Sequence, residues 1–207
     1  MDRTLSISCD CGAIVGTLHD MTPTKGAHVM CYCSDCQAFA HFLEKDKDVL
    51  DARGGSAIFQ TLPSRVTFER GTDHLAAVKV TPTGILRWHC RACRSPIGNT
   101  APSPKIPFVG LLTTAISGSG KDETLGPLIG AVHQQDAGPG NDPLVAKASP
   151  LQLAKFIGRI IKGRLTGDAK HSPFFDASGT PISEPFVIDP DLRAEIDNKI
   201  VAGGRAN

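Results

Sequence analysis

The sequence lacks the features that would place it across a membrane, in a secreted disulfide framework or on a nucleic acid. It has no stretch of about 18 uninterrupted apolar residues. Met1 to Asp20 carries Asp2, Arg3 and Asp10 in place of an apolar leader core, so neither a membrane span nor a secretory signal is expected. An excess of either charge is also missing. With 22 Lys and Arg against 21 Asp and Glu, the formal charge of +1 provides no field that draws nucleic acid or an anionic membrane to the whole molecule. Internal repeats and low-complexity tracts are absent. These absences describe a cytoplasmic protein with no nucleic acid and no membrane among its partners.

An even cysteine count is the last thing missing. Seven cysteines in 207 residues do not suit a disulfide framework, and a chain of this length buries enough core to stand without staples. Metal or thiol chemistry remains. The thiols fall into three tight groups: Cys9 with Cys11, Cys31 with Cys33 and Cys36, and Cys90 with Cys93. Tetrahedral zinc, with zinc to sulfur distances near 2.3 Å, needs sulfurs roughly 3.8 Å apart, so ligands arrive in close pairs on a turning backbone. Residues i and i+2 of a strand share a face, and Gly12 permits the bend that brings Cys9 and Cys11 together.

Keeping each group intact, the simplest division is a closed four-thiolate site from Cys9, Cys11, Cys90 and Cys93, and a three-thiolate site from Cys31, Cys33 and Cys36. Other partitions satisfy the same spacing, because sequence does not fix which groups meet in space. A thioredoxin-like reading of Cys33 to Cys36 or Cys90 to Cys93 needs a βαβ setting that this region does not offer. The spacing also matches neither ferredoxin run. A three-ligand zinc site typically leaves a fourth position for water or substrate. The bland alternative is that His28, His41, His89 or Asp35 fills it. If open, a soft, thiolate-rich ion suits an incoming sulfur, so a small thiol is the first substrate to consider.

Hydrophobic periodicity places these groups in a mainly β fold of antiparallel strands with a helical C-terminal extension. Leu5, Ile7 and Cys9 alternate, as do Ala13, Val15 and Thr17, and the two runs read as a hairpin with a thiol-bearing tip. "GAHVMCYC" reads as a strand, and "SDCQAFAHFL" as a helix capped by Ser34. "AIFQ", "RVTFE", "LAAVKV" and "ILRWHC", separated by turn signals, read as an antiparallel meander, and "PFVGLLTTAI" as a last strand. The Gly- and Pro-rich stretch from Ser117 to about Pro143 reads as a connection with little fixed structure.

"SPLQLAKFIGRIIKGRL" reads as a basic amphipathic helix. Its stripe of Leu151, Ala154, Ile157, Ile161 and Leu165 is expected to pack on the body, and its charges to face water. "DPDLRAEIDNKIVAGG" is a final helix stopped by glycines. The expected organisation is a zinc-binding domain over residues 1–116, a connection over 117–149 and a helical extension over 150–207.

Together, "CDCGAIVG", "CYCSDC" and "WHCRACRSPIGN" resemble the glutathione-dependent formaldehyde-activating enzyme and centromere protein V family, over roughly residues 5–115. The resemblance implies a β-tent of small antiparallel sheets around zinc. It also implies the division reached above, with Cys9, Cys11, Cys90 and Cys93 structural and Cys31, Cys33 and Cys36 at a catalytic zinc. The implied activity is that of a carbon–sulfur lyase joining formaldehyde to glutathione. The alternative is a non-catalytic zinc module for a protein partner.

Two departures stand out. Gln37 to Phe42 is bulkier and more apolar than the family's basic residue and glycine-containing turn. Arg94 stands where glycine is common, so a left-handed turn there would be strained. Arg87, Arg91 and Arg94 beside the last cysteines read as positive neighbours of the four-thiolate site.

Overall fold

The computed structural model describes residues 3–203. The strands in chain order are β1 (Arg3–Ser8), β2 (Val15–Met21), β3 (Ala27–Cys31), β4 (Ser56–Thr61), β5 (Val66–Arg70) and β6 (Leu75–Lys79). They continue with β7 (Leu86–Cys90), β8 (Pro96–Thr100), β9 (Val109–Leu112), β10 (Ile116–Ser117), β11 (Gly130–Val132) and β12 (Phe186–Val187). The helices are α1 (Ser34–Phe42), α2 (Asp46–Val49), α3 (Lys121–Leu125), α4 (Pro150–Leu165) and α5 (Pro190–Gly203).

The fold is mainly β. A four-stranded sheet runs β10-β1-β2-β5, and an eight-stranded mixed sheet runs β11-β3-β4-β9-β8-β7-β6-β12. Leu5 and Ile7 of β1 and Leu18 of β2 meet Phe59, Trp88, Ile97 and Leu111 of the large sheet in one core. The expected hairpin is β1 and β2, antiparallel, with Ser8 opposite Val15. Its tip turns at Gly12, whose φ is +72° and whose N–H donates to the Cys9 carbonyl at 3.0 Å.

The expected meander is broken in one place. After β4, a Pro63–Arg65 turn redirects the chain, and β5 leaves the large sheet to pair with β2. The meander proper is β6-β7-β8-β9. β8 was not expected, because Pro96, Gly98 and Asn99 are poor strand formers. It forms because all five residues are buried between β7 and β9, with Pro96 at the first position, where no ladder donor is needed.

Part of the Gly- and Pro-rich stretch has fixed structure, contrary to expectation. It carries α3 and β11, and β11 pairs parallel with β3. Gly130 allows this, since a Cβ there would lie 2.5 Å from the Ala148 Cα.

The helix over the second cysteine group forms as expected, but the N-cap is Cys33 rather than Ser34. Its sulfur accepts from the Cys36 N–H at 3.3 Å. α5 packs Ile196 against Phe39 of α1, Leu43 just past its end and Val78 of β6. The glycine stop read for it extends to Gly204, which lies outside the described residues. Phe174, far along the chain, enters the main core and sits edge-on to Phe68 at 5.4 Å.

α4 forms where expected, with a Ser149–Gln152 capping box, but it packs by the opposite face. Gly163 is its buried residue, against Leu62 and Pro107, while Phe156 meets Phe108 edge-on at 5.6 Å. Arg159 donates to the Gly26 carbonyl at 3.0 Å, and Gln152 donates to the Ile129 carbonyl. The body offers two strand-end carbonyls and a gap too narrow for a side chain. Donors and a glycine fill these better than leucines do, and the aliphatic stripe is left in water. Among the described residues no helix is long and apolar enough to cross a membrane.

Candidate metal centre

The hairpin tip and the β7–β8 turn bring Cys9, Cys11, Cys90 and Cys93 together, with all four sulfurs within 4.8 Å of one another. Cys9 and Cys11 are 3.5 Å apart, and Cys11 and Cys90 are 3.9 Å apart. These separations bracket the roughly 3.8 Å edge of a tetrahedral zinc–thiolate site, so the donor set fits the ion in number, softness and spacing. The surroundings supply donors to the sulfurs. The Ile14 N–H reaches Cys9 Sγ at 3.2 Å, and Ser95 Oγ lies 3.1 Å from Cys93 Sγ. Burial pushes the Cys90 thiol up to about 12. Cys93 is pulled down to about 6 against its own burial, chiefly by the Ser95 hydroxyl and backbone.

The turn that carries Cys93 ends in Arg94 at φ +62°, the left-handed conformation anticipated for this position. Its side chain folds over Phe42, donates to the Phe42 carbonyl at 3.0 Å and pairs with Glu44 at 3.1 Å. Those contacts partly offset the backbone strain.

The second set lies at the end of β3 and the start of α1. The sulfurs of Cys31, Cys33 and Cys36 lie within 4.8 Å of one another, with Cys31 and Cys36 at 3.5 Å. This spacing also suits a zinc ion, with three ligands. Cys31 and Cys36 are buried, and Cys33 is the half-exposed member. Cys31 and Cys33 both hold the Cys36 thiol well below its ordinary value, helped by Arg87, while the Cys31 thiol is pushed far up by Cys33, Cys36 and burial.

Among the described residues no histidine or carboxylate joins the three sulfurs. The four candidates for a fourth ligand are engaged elsewhere. His28 Nδ1 lies 2.9 Å from the Gly126 carbonyl, and His41 faces Asp46 at 3.8 Å. His89 sits edge-on to Phe39 and Phe42, where burial, then Arg94 and Arg91, push it down to about 4. Asp35 accepts from Arg193 of α5 at 2.8 Å.

Arg87 departs from its expected place. Side chains alternate along β7, so Arg87 lies on the face opposite Cys90 and turns toward α1. Its guanidinium, 3% exposed, lies 3.5 Å from Cys36 Sγ, 3.3 Å from Asn99 Oδ1 and 3.9 Å from Asp35 Oδ2. It serves the three-sulfur set. The strand alternation could have revealed this; the Asp35–Arg193 pair, 158 residues apart, carries no local signal. Arg91 and Arg94 are also committed, to the Leu75 carbonyl and to Phe42 with Glu44.

One helical turn beyond Cys33, Gln37 and His41 line a cleft of about 620 Å³ with Asp46, Asp51 and Arg53. Gln37 is buried at its edge and donates to the Tyr32 and Asp136 carbonyls at 2.8 and 2.9 Å. Gln37 and His41, four residues apart, share one side of α1, and the three cysteines lie outside the lining of this cleft.

No curated protein matches the sequence. Among solved structures, the chain is similar to a Rhodobacter sphaeroides protein at 16% identity and a TM-score of 0.40, over 55% of this chain and 88% of that one. Residues 1–185 match a family described as one of unknown function, DUF6151. With two cysteine clusters that can hold zinc, the chain belongs to the DUF6151 family.

Proposed function

We propose that the chain is a two-zinc protein. In this reading Cys9, Cys11, Cys90 and Cys93 hold a structural ion, and Cys31, Cys33 and Cys36 hold a second ion that serves chemistry on a small thiol. The observation that carries it is the inequality of the two clusters: four sulfurs close one set, while three sulfurs, with no further His, Asp or Glu donor among the described residues, form the other. The motif resemblance to the glutathione-dependent formaldehyde-activating family supplies the reaction class, formation or cleavage of a carbon–sulfur bond between a thiol such as glutathione and an aldehyde.

Zinc held by three thiolates would favour a bound thiol in its thiolate form. The chain's own residues do the rest. Arg87 balances the charge of the sulfurs from the buried side. Cys33 is the least buried of the three cysteines, and in this reading the cleft along Gln37 and His41 takes the remainder of the substrate. In the adduct-forming direction sulfur attacks the carbonyl carbon, the carbon–oxygen π bond opens, and the thiol proton finishes on the oxygen.

Cobalt substitution tests the reading. Glutathione should change the visible spectrum of the second site, and the zinc protein should speed exchange between formaldehyde and glutathione above the spontaneous rate. An unchanged spectrum together with the spontaneous rate would contradict it. The second reading, a non-catalytic zinc module, is favoured by the burial of Cys31 and Cys36. It predicts the unchanged spectrum.

A further inference from the structure

Beyond the metal chemistry, α4 presents a surface that the fold does not use. Leu153, Ile157, Ile161 and Leu165 recur every fourth residue along one side, and they are 56%, 47%, 54% and 82% exposed, with Leu151 at 64%. A bare aliphatic face of this size marks an interaction surface. The same helix, Pro150–Leu165, contains Lys155, Arg159, Lys162 and Arg164 and no acidic residue. Arg159 is used inward on Gly26, so Lys155, Lys162 and Arg164 remain beside the aliphatic face.

A second observation lies at the C-terminal end of the helix. Lys105, Arg164 and Lys170 line one cleft of about 580 Å³ with a single carboxylate, Asp176. That carboxylate is taken by its own turn, accepting from Ser178 Oγ at 2.7 Å and the Thr180 N–H at 2.9 Å. Ile106, in the adjacent loop, is 48% exposed. Cations near a helix C-terminus commonly complement its dipole. That role explains neither the aliphatic stripe nor the convergence of three cations on one cleft.

We propose that α4 is an interfacial membrane-binding helix: it lies in the plane of an anionic lipid surface, its aliphatic side in the acyl boundary and Lys155, Lys162, Arg164, Lys105 and Lys170 on the headgroup phosphates. Charge complementarity selects this occupant. A second copy packed on the same face would bring two acid-free cationic edges together, whereas an anionic surface neutralises them. The whole-chain charge of +1 hides this, because the acids lie elsewhere. The helix lies on the membrane without spanning it, in keeping with its length and polarity.

The test is flotation of the full zinc-loaded chain with vesicles of phosphatidylcholine alone and of equimolar phosphatidylcholine and phosphatidylglycerol. Binding should require the anionic lipid and weaken as salt rises. Ile157→Ser with Ile161→Ser should lower partitioning more than tenfold, and replacing Lys155, Lys162 and Arg164 with Gln should lower it by about a hundredfold. Both side-chain sets face water, so circular dichroism and zinc content should stay at wild-type values in both variants. Failure of the wild-type chain to float with anionic vesicles, or equal flotation with neutral ones, overturns the assignment. So does a dimer in light scattering that the serine variant dissociates while no vesicle binds, because a second copy then covers the face. None of these outcomes bears on the thiol chemistry, which the cobalt spectrum reads separately.

Discussion

Arg87 is a cation held away from water, and its neighbours determine what it costs. A buried guanidinium without a partner is strongly destabilising, whereas one placed between a thiolate and a carboxylate is satisfied. Its position 3.5 Å from Cys36 therefore fits a negatively charged sulfur set. Removing it should matter most to the metal. Arg87→Met is expected to lower zinc affinity at the three-cysteine site by about 10- to 100-fold, the range seen when a ligand's supporting partner is lost. Arg87→Lys should recover part of it. Competition with a chromophoric chelator measures the effect, and the four-cysteine site, served by the other face of β7, should keep its affinity.

Arg94 is a separate case at the same scale. Its φ of +62° costs about 1 kcal/mol in a residue with a Cβ, while its contacts with Glu44 and Phe42 are exposed and weak. Arg94→Gly relieves that strain but frees the unfolded chain by a similar amount, so it is expected to change stability by less than about 0.5 kcal/mol. Arg94→Ala, which keeps the strain and loses the contacts, should lower it. Equal effects from the two substitutions in denaturant unfolding would contradict the strain argument.

At the scale of elements, β11 depends on one glycine. A Cβ at Gly130 would meet backbone at Ala148, 2.5 Å away, and backbone cannot yield as a side-chain tip can. Gly130→Val should detach β11 from β3 and destabilise the protein by roughly 1–3 kcal/mol. Hydrogen exchange at the Ala131 and Val132 amides should accelerate first.

This strand also shows where the sequence was hard to read. The β1–β2 hairpin, β3, α1 and β7 were legible, because each carries a clean period of its own. β8 and β11 were not: "PIGNT" and "GAV" have little intrinsic preference and are strands only because neighbours supply the pairing, β7 and β9 for β8, and β3 with a bridge from Ala131 to Lys147 for β11. The period of α4 was legible but its orientation was not. Hydrophobicity predicts the aliphatic stripe inward, and the outcome was decided by two carbonyls on the body and the narrow gap at Gly163.

For the whole molecule, the four-cysteine group with an ion bound would do what a long-range disulfide does elsewhere. Cys9 and Cys11 stand nearly eighty residues from Cys90 and Cys93, yet their sulfurs share one site between the two sheets. The three cysteine groups were legible from their spacing, but which groups meet was left open by the sequence and is decided by the fold that brings the hairpin tip to the β7–β8 turn. The environment of the three-cysteine set was only half legible: Cys31, Cys33 and Cys36 are adjacent in sequence, but Arg87, Asn99 and Arg193 reach them through tertiary structure. Phe174 makes a related point, since a side chain from the distal part of the chain completes the core beside Trp88, at 5.2 Å.

Structural zinc contributes about 10–16 kcal/mol of apparent binding free energy. The net stability of a domain is about 5–15 kcal/mol. An ion at the four-cysteine site would therefore account for most or all of the folded state. The direct measurement is native mass spectrometry of the full chain during stepwise chelation, with far-UV circular dichroism recorded on the same samples. The account predicts two zinc ions per chain, loss of the three-cysteine ion first with little spectral change, and collapse of the β signal with loss of the second. A metal-free chain that keeps its full β signal and its thermal midpoint would contradict it.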